Sequence, residues 1–435
     1  MGKQGHNRGT QPEGLCLKVE GQCVAFADCF EPLRNNTYSR AVMTPTAGVA
    51  NIHYGDVLVK YGEVLDFSTA DVPSLLPGTL PVGDELRDGD IVIADTAEDE
   101  TCGRTVEISN LGSRKAVAGL HTIACRPKPG LFVPGWLGYF MNSVAYHRQL
   151  VPLMAGIKVL SISRAALKGT TILVPPISKQ RQIVSVFSEC DRVVEREQKL
   201  LDAKKRQKHA LIRLLLEPGG KDVAFGSFGQ PGRGRKTAST RSSAWHRCRV
   251  CDCAEVRSGG TPTTGNPRFW NGGIPWVTPS EIAKTGKYLE RTVSTISKEG
   301  LDNSSAELLP ANTVVMCSRA TIGPHAILKV PMTTNQGFKN FICKDNLDPE
   351  FWYYYLDVVI PSFLSCASGN TFKEVSKRDV EHTMVLLPPL SEQRHITAIL
   401  SAADREIDGL AREIDAWKEK RKALSQLLLS GKVRV

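Results

Sequence analysis

The sequence predicts an α+β chain: two β-rich mixed domains separated by a pair of long helices, the helices forming an antiparallel coiled coil and the halves related by a pseudo-two-fold axis. Three observations carry that expectation. They are a long internal repeat, heptad spacing of apolar residues inside each copy, and short apolar runs bounded by turn residues ahead of each copy.

The repeat is plain. Val174 to Ile183 (VPPISKQRQI) recurs 213 residues later as Leu387 to Ile396 (LPPLSEQRHI). Without a gap, the same offset carries Asp191 onto Asp404 and Leu214–Leu216 onto Leu427–Leu429.

Each copy reads as a capped helix. Proline lacks an amide donor and pushes its predecessor into extended backbone, so helix is forbidden before Pro175-Pro176 and Pro388-Pro389. Ser178 and Ser391 then stand where an N-cap hydroxyl satisfies free amides. From there apolar residues recur in steps of four and three. The second copy has Ile396, Leu400, Ala403, Ile407, Leu410, Ile414, Trp417, Leu424 and Leu428, with Arg421 the one polar member. The first has Ile183, Phe187, Cys190, Val194, Leu201, Leu211 and Leu215, but Glu197, Lys204 and Lys208 break its seam. Each helix runs about 39 residues, roughly 58 Å at 1.5 Å per residue. Alone, such a helix leaves its seam wet; two of equal length most simply bury their seams against each other. A large domain lies between them, so no short loop dictates their direction.

These signals divide the chain into a domain at 15–173, a helix at 174–217, a Gly/Ser/Arg-rich linker at 218–246, a domain at 247–386 and a helix at 387–430. The linker composition cannot bury a core. Strands are expected at Asp90–Ala94, Val314–Met316 and Phe341–Cys343, and shorter helices at Trp136–Leu150 and Pro349–Leu364.

The net charge of +10 favours a polyanionic partner, nucleic acid before an anionic membrane surface. No apolar run approaches the ~20 residues that span a bilayer, and MGKQGHNRGTQPEG at the start has no apolar segment for a secretory signal. Twelve scattered cysteines then read as reduced thiols of a cytoplasmic protein. Cys248, Cys251 and Cys253 lack the second ligand pair of a tetrahedral zinc site.

An adenine methyltransferase needs a glycine-rich cofactor loop and an Asn/Asp-Pro-Pro-aromatic motif. Asn266-Pro267-Arg268-Phe269 has arginine where the second proline belongs, and no metal-binding nuclease cluster is evident. No catalytic, cofactor or metal site is therefore expected in this chain. The rival readings are a self-contained DNA-modifying enzyme, tested by methyl transfer without partners, and a coiled-coil scaffold that binds proteins.

Polar, glycine-punctuated loops occupy 258–266, 318–323, 333–339 and 368–373. Their residue types suit DNA: Asn and Gln pair with adenine, Arg with guanine, and Ser, Thr and backbone amides reach phosphates.

Together these segments resemble the specificity subunits of type I restriction–modification systems. The resemblance is carried by residues 387–394 with their heptads and by 427–435. In the second domain it rests on Gly260–Pro262, Ile274–Pro279, Ser318–Gly323, Thr334–Phe338 and Ser368–Phe372. In the first half it rests on the helix, Asn51–Asp56 and Asp90–Glu100. It implies that each domain is a target-recognition domain reading one half of a bipartite, asymmetric site on double-stranded DNA. It further implies that the helices set the spacer and dock two methyltransferase subunits carrying S-adenosylmethionine. Restriction (motor-nuclease) subunits would complete the complex, in a bacterial or archaeal cytoplasm and away from membranes. The DNA-binding candidates are His53, Tyr54, Thr263, Asn266, Arg268, Arg319, Asn335, Gln336 and Lys373. The apolar seam residues named above are the candidates for helix pairing and subunit docking. The polar seam of the first helix departs from the pattern and leaves the tightness of the pair open.

Overall fold

A computed structural model describes residues 21–45, 48–216, 245–367 and 373–429. The expected linker up to Ala244, the 368–372 loop and the last six residues lie outside them. The chain forms two compact units, one of residues 1–198 and 412–435 and the other of residues 199–411. Each unit holds one β-rich domain and one half of each long helix.

In the first unit, strand Gln22–Ala25 pairs antiparallel with Thr171–Val174, closing the domain where the first long helix begins. A five-stranded sheet follows in the order Phe30–Leu33, Thr122–Pro127, Ile91–Ala94, Thr105–Ser109, Val64–Asp66, with only the last pair parallel. The second unit repeats this plan. His246–Arg249 pairs with Met384–Leu387. Its sheet runs Ala254–Ser258, Phe338–Cys343, Val314–Cys317, His325–Leu328, Tyr288–Leu289, again parallel only at the last pair. The two domains are thus copies of one topology.

The central strands are buried on both faces, and their alternation decides what each face packs against. Ile91 and Ile93 join a core with Trp136, Ile183 and Phe187, while Val92 and Ala94 face a second core with Leu33 and Ile52. In the second unit Val314 and Met316 pack with Trp352, Ile396 and Leu400, whereas Val315 and Cys317 pack with Val277 and Phe338. One sheet face therefore meets the long helices in each unit.

The long helices span Ile177–Leu216 and Leu390–Leu429, 40 residues each. In the first unit Ile183 and Phe187, from the start of one helix, share a core with Leu428 and Leu429 from the end of the other. In the second unit Leu215 and Leu216 share a core with Ile396 and Leu400. Both pairings set a beginning beside an end, so the segments are antiparallel in each unit. Leu201 and Ile414 are also buried. Val194, Leu211, Ile407, Leu410, Trp417 and Leu424 are half-buried.

Four expectations need correction. The helices start one residue before Ser178 and Ser391, because the Pro176 and Pro389 carbonyls already accept the first amides, from Gln180 at 3.0 Å and Gln393 at 3.0 Å. The serines are therefore not caps. The pattern at 136–150 is two helices, Trp136–Met141 and Val144–Leu150. Asn142 leaves the first to exchange hydrogen bonds with the Thr105 backbone, 3.1 and 2.6 Å, and Ser143 caps the second. His246 and Leu387, placed in linker and helix, are strand partners. Lys204 and Lys208 are not breaks in the seam: they pair with Glu406 at 2.9 Å and Asp404 at 2.5 Å on the second helix.

Among the described residues no helix is long and apolar enough to cross a membrane, and no three His, Cys, Asp or Glu side chains are grouped to hold a metal ion.

Candidate nucleic-acid interface

The strand register brings several loops of the second domain to one end of its sheet, since Ser258, Lys339 and Cys317 lie at the same edge. Backbone hydrogen bonds fasten them together. Ser318 donates to Gly337 at 2.8 Å, Ala320 to Lys373 at 3.0 Å and Gly260 to Thr334 at 2.8 Å. The approach is close enough to exclude a side chain at position 259, where a Cβ would lie 1.9 Å from the Asn335 carbonyl oxygen. Beneath the loops Asn340, fully buried, donates to the Thr334 hydroxyl at 2.9 Å, and nearly buried Lys339 reaches Ser318 at 3.3 Å. Burial pushes the Lys339 pKa down, with Glu374 opposing it.

This cluster gathers Arg319, Asn335, Gln336 and Lys373, and presents three of them to solvent. Arg319, Gln336 and Lys373 are exposed. Arg319 pairs loosely with Glu374 at 3.7 Å, and Gln336 accepts from the Thr261 hydroxyl through its carbonyl. Asn335 instead spends its side-chain oxygen on the Gly337 amide at 2.9 Å. Thr263 and Arg268 are exposed in the neighbouring 263–270 loop, where Asn266 turns its side chain onto the Arg268 amide at 3.1 Å. The two asparagines thus serve their own turns.

In the first domain His53 is only 5% exposed, and its Nδ1 accepts from the Gly55 amide at 3.2 Å to cap helix Tyr54–Val59. Burial, then Arg40, holds its pKa below the usual imidazole value, so it is neutral near pH 7. Tyr54 is half-buried with its ring edge-on to His121, centroids 5.2 Å apart.

Sequence reasoning missed the first domain's equivalent loops. His121 ends the turn before strand Thr122–Pro127, and a hairpin closes between Ala155 and Ser161 through bonds of 2.9 and 2.8 Å. That hairpin pairs with Thr96–Ala97, where the second domain has its Arg319–Glu374 bridge. Its tip carries exposed Lys158 and Ile157, which is 99% exposed. The one sequence signal was Gly156: its φ is +122°, and a Cβ there would sit 1.9 Å from the Val159 oxygen. Beside the hairpin the first domain carries exposed Glu98, Asp99 and Glu100, whereas the loops of the second domain carry exposed Arg319 and Lys373. Carboxylates accept from base amino groups such as cytosine N4, and arginine donates to guanine. The two loop sets therefore differ in charge.

The same sheet holds a buried carboxyl. Glu107 accepts from the Gly135 amide at 2.5 Å and the Gly138 amide at 2.9 Å. Burial outweighs these amides and pushes its pKa up to about 7. Between pH 4.5 and 7 the folded chain keeps a proton that the unfolded chain releases, so stability is full below this window and falls as pH rises through it. The loss is about 3 kcal/mol. Thermal unfolding of Glu107→Gln between pH 4 and 8 is expected to lack this slope; an unchanged slope assigns the effect elsewhere.

At the helices the repeat has a clear purpose. Gln180 is fully buried, accepting from the Val133 amide at 2.9 Å and donating to the Leu131 carbonyl at 2.9 Å. Its counterpart Gln393 accepts from the Asp348 amide at 2.8 Å and donates to the Asn346 carbonyl at 2.9 Å. Each glutamine clasps a loop of its own domain.

A duplicated domain with polar loops at one sheet end, clasped to a repeated helix, defines a paired-module recognition protein. Comparison with known proteins agrees. Residues 242–416 match the type I restriction modification DNA specificity domain. The chain is 34% identical over 167 residues to the type I restriction enzyme MjaIX specificity subunit of Methanocaldococcus jannaschii, covering 38% of this chain and 39% of that one. It is 22% identical over 384 residues to the putative MjaX specificity subunit of the same organism, covering 87% and 84%. A chain from a solved structure on complex assembly and conformational transition of the type I R-M system shares the fold, with a TM-score of 0.58, 17% identity and coverage of 96% and 99%. By these matches the chain is similar to the specificity subunits of type I restriction–modification systems, most clearly over residues 242–416.

Proposed function

We propose that the two domains each read one half of a bipartite, asymmetric DNA target, and that this chain recognises DNA without chemistry of its own. The long helices set the gap and dock two methyltransferase subunits, which bring S-adenosylmethionine. Restriction subunits join the full complex, in the cytoplasm of a bacterium or archaeon. One observation carries the reading: a single topology occurs twice with chemically different loops. Two like frames with unlike reading edges imply two unlike half-sites. Thr263, Arg268, Arg319, Gln336 and Lys373 are the proposed contacts of the second domain, with Asn266 and Asn335 shaping their loops. Tyr54 and its neighbour His121 are the proposed contacts of the first, with His53 capping the helix that carries Tyr54.

The test is salt. Affinity for target DNA is expected to fall by ~0.9 log units per log unit of salt for each phosphate contact. Lys373→Ala removes a charge from the reading edge and lowers that slope by about one contact. Binding indifferent to salt contradicts the reading.

A further inference from the structure

Each domain is tied to its repeat helix at two points. The first is the clasping glutamine, Gln180 or Gln393. The second lies eleven residues along, where Tyr139 donates to Asp191 at 2.9 Å and Tyr354 donates to Asp404 at 2.5 Å. At 1.5 Å per residue the anchors are roughly 16 Å apart. A body pinned at one point of a rod can swing, whereas pinning at two points fixes its angle.

At the second anchor each carboxylate also meets a cation from the opposite helix. Arg421 grips Asp191 with two nitrogens, and Lys208 lies 2.5 Å from Asp404. The cations sit above the same tyrosine rings, 5.7 Å and 5.4 Å from the centroids. Shifting by 213 residues converts Asp191 into Asp404 and Lys208 into Arg421, so the two clusters are one device with the helices exchanged. Apolar side chains could fill such a place with less desolvation cost, so a polar cluster here selects geometry rather than raw stability.

The clusters are also keyed to their domains. Glu63 and Lys287 hold equivalent places, each accepting the amide of the neighbouring strand at 2.9 Å. Glu63 adds a second carboxylate to Arg421 at 2.8 Å, while Lys287 donates to Tyr354 at 3.0 Å and to Ser401 at 3.1 Å.

We propose that Tyr139–Asp191–Arg421 and Tyr354–Asp404–Lys208 are positioning residues that set the permitted gap between half-sites, by holding each domain at one angle on the helices. The proposal rests on the domains reading half-sites. One extra base pair moves a half-site by ~3.4 Å, a shift that a swinging domain absorbs and a fixed one refuses.

The test measures methylation by the assembled complex on duplexes whose gap is native, one base pair shorter or one longer. Tyr139→Phe, which deletes a single hydroxyl, and the double variant Tyr139→Phe with Asp191→Asn are compared with Arg421→Lys. Losing a hydrogen bond to a charged group is worth about tenfold. The relative rate on the wrong gaps should therefore rise about tenfold in the tyrosine variants, with both half-site sequences unchanged. Arg421→Lys should keep the parent's ratio. Equal slowing on all three duplexes, or an unchanged ratio, overturns the proposal. A parent complex indifferent to the gap would instead sink the bipartite reading itself.

Discussion

Replacing Arg421 by methionine is expected to destabilise the first unit by about 2 kcal/mol. The guanidinium is held between Asp191 and Glu63, with the rings of Tyr139 and Phe187 5.7 and 5.9 Å away. Burial pushes its pKa down, but the two carboxylates outweigh burial and leave it raised. Methionine preserves length and packing while leaving two carboxylates without their shared cation. Breaking a buried pair costs ~3–5 kcal/mol, but Asp191 is 39% exposed and water screens part of that cost. Lysine restores charge without the planar fork, so Arg421→Lys should recover only part of the loss. Denaturant midpoints measure all three chains. A methionine variant within 0.5 kcal/mol of the parent, the usual range of surface substitutions, would show the cluster to be energetically idle.

Exchanging residues 247–386 for the corresponding domain of a type I specificity subunit is expected to replace one half of the modified DNA sequence and leave the other intact. The structure explains why such a cut is tolerable. Strands His246–Arg249 and Met384–Leu387 pair with each other, so nearly the whole closing ladder travels with the incoming domain. The host retains Gln393, Asp404 and Ser401 on the second helix, and Lys208 on the first, as the docking points. An incoming domain lacking equivalents of Tyr354 and Lys287 should assemble but tolerate altered gaps.

The helix pair was readable from the sequence because its signal is local: two prolines and apolar steps of four and three recur at a fixed offset. The polar seam members were misread for a physical reason. A heptad scan judges one helix at a time, and the charges that satisfy Lys204, Lys208 and Arg421 lie on the other helix. Only the antiparallel direction reveals that Asp191 faces Arg421 as Asp404 faces Lys208.

The pairing of two β-rich domains was readable through the repeated helices, but their shared strand topology was not readable from the domain sequences themselves. Ile91–Ala94 and Val314–Cys317 share burial on both faces, yet the connections between strands differ in length and no offset is kept. The reading loops were half-readable. Glycines at 259 and 156 mark close backbone approaches. Residue type alone, however, could not distinguish Gln336, facing solvent, from Asn335 and Asn266, which bond their own turns. His53 looked like a base-reading side chain and is a helix cap.

The central claim is that one frame, used twice, senses two unrelated short sequences at a set distance. Mapping modified bases across the genome of cells carrying this chain, and again after the exchange of 247–386, tests it most directly. The account predicts two different short motifs separated by a constant unspecified gap, with one motif changed by the exchange. A continuous or palindromic motif, or a change in both halves at once, would contradict it.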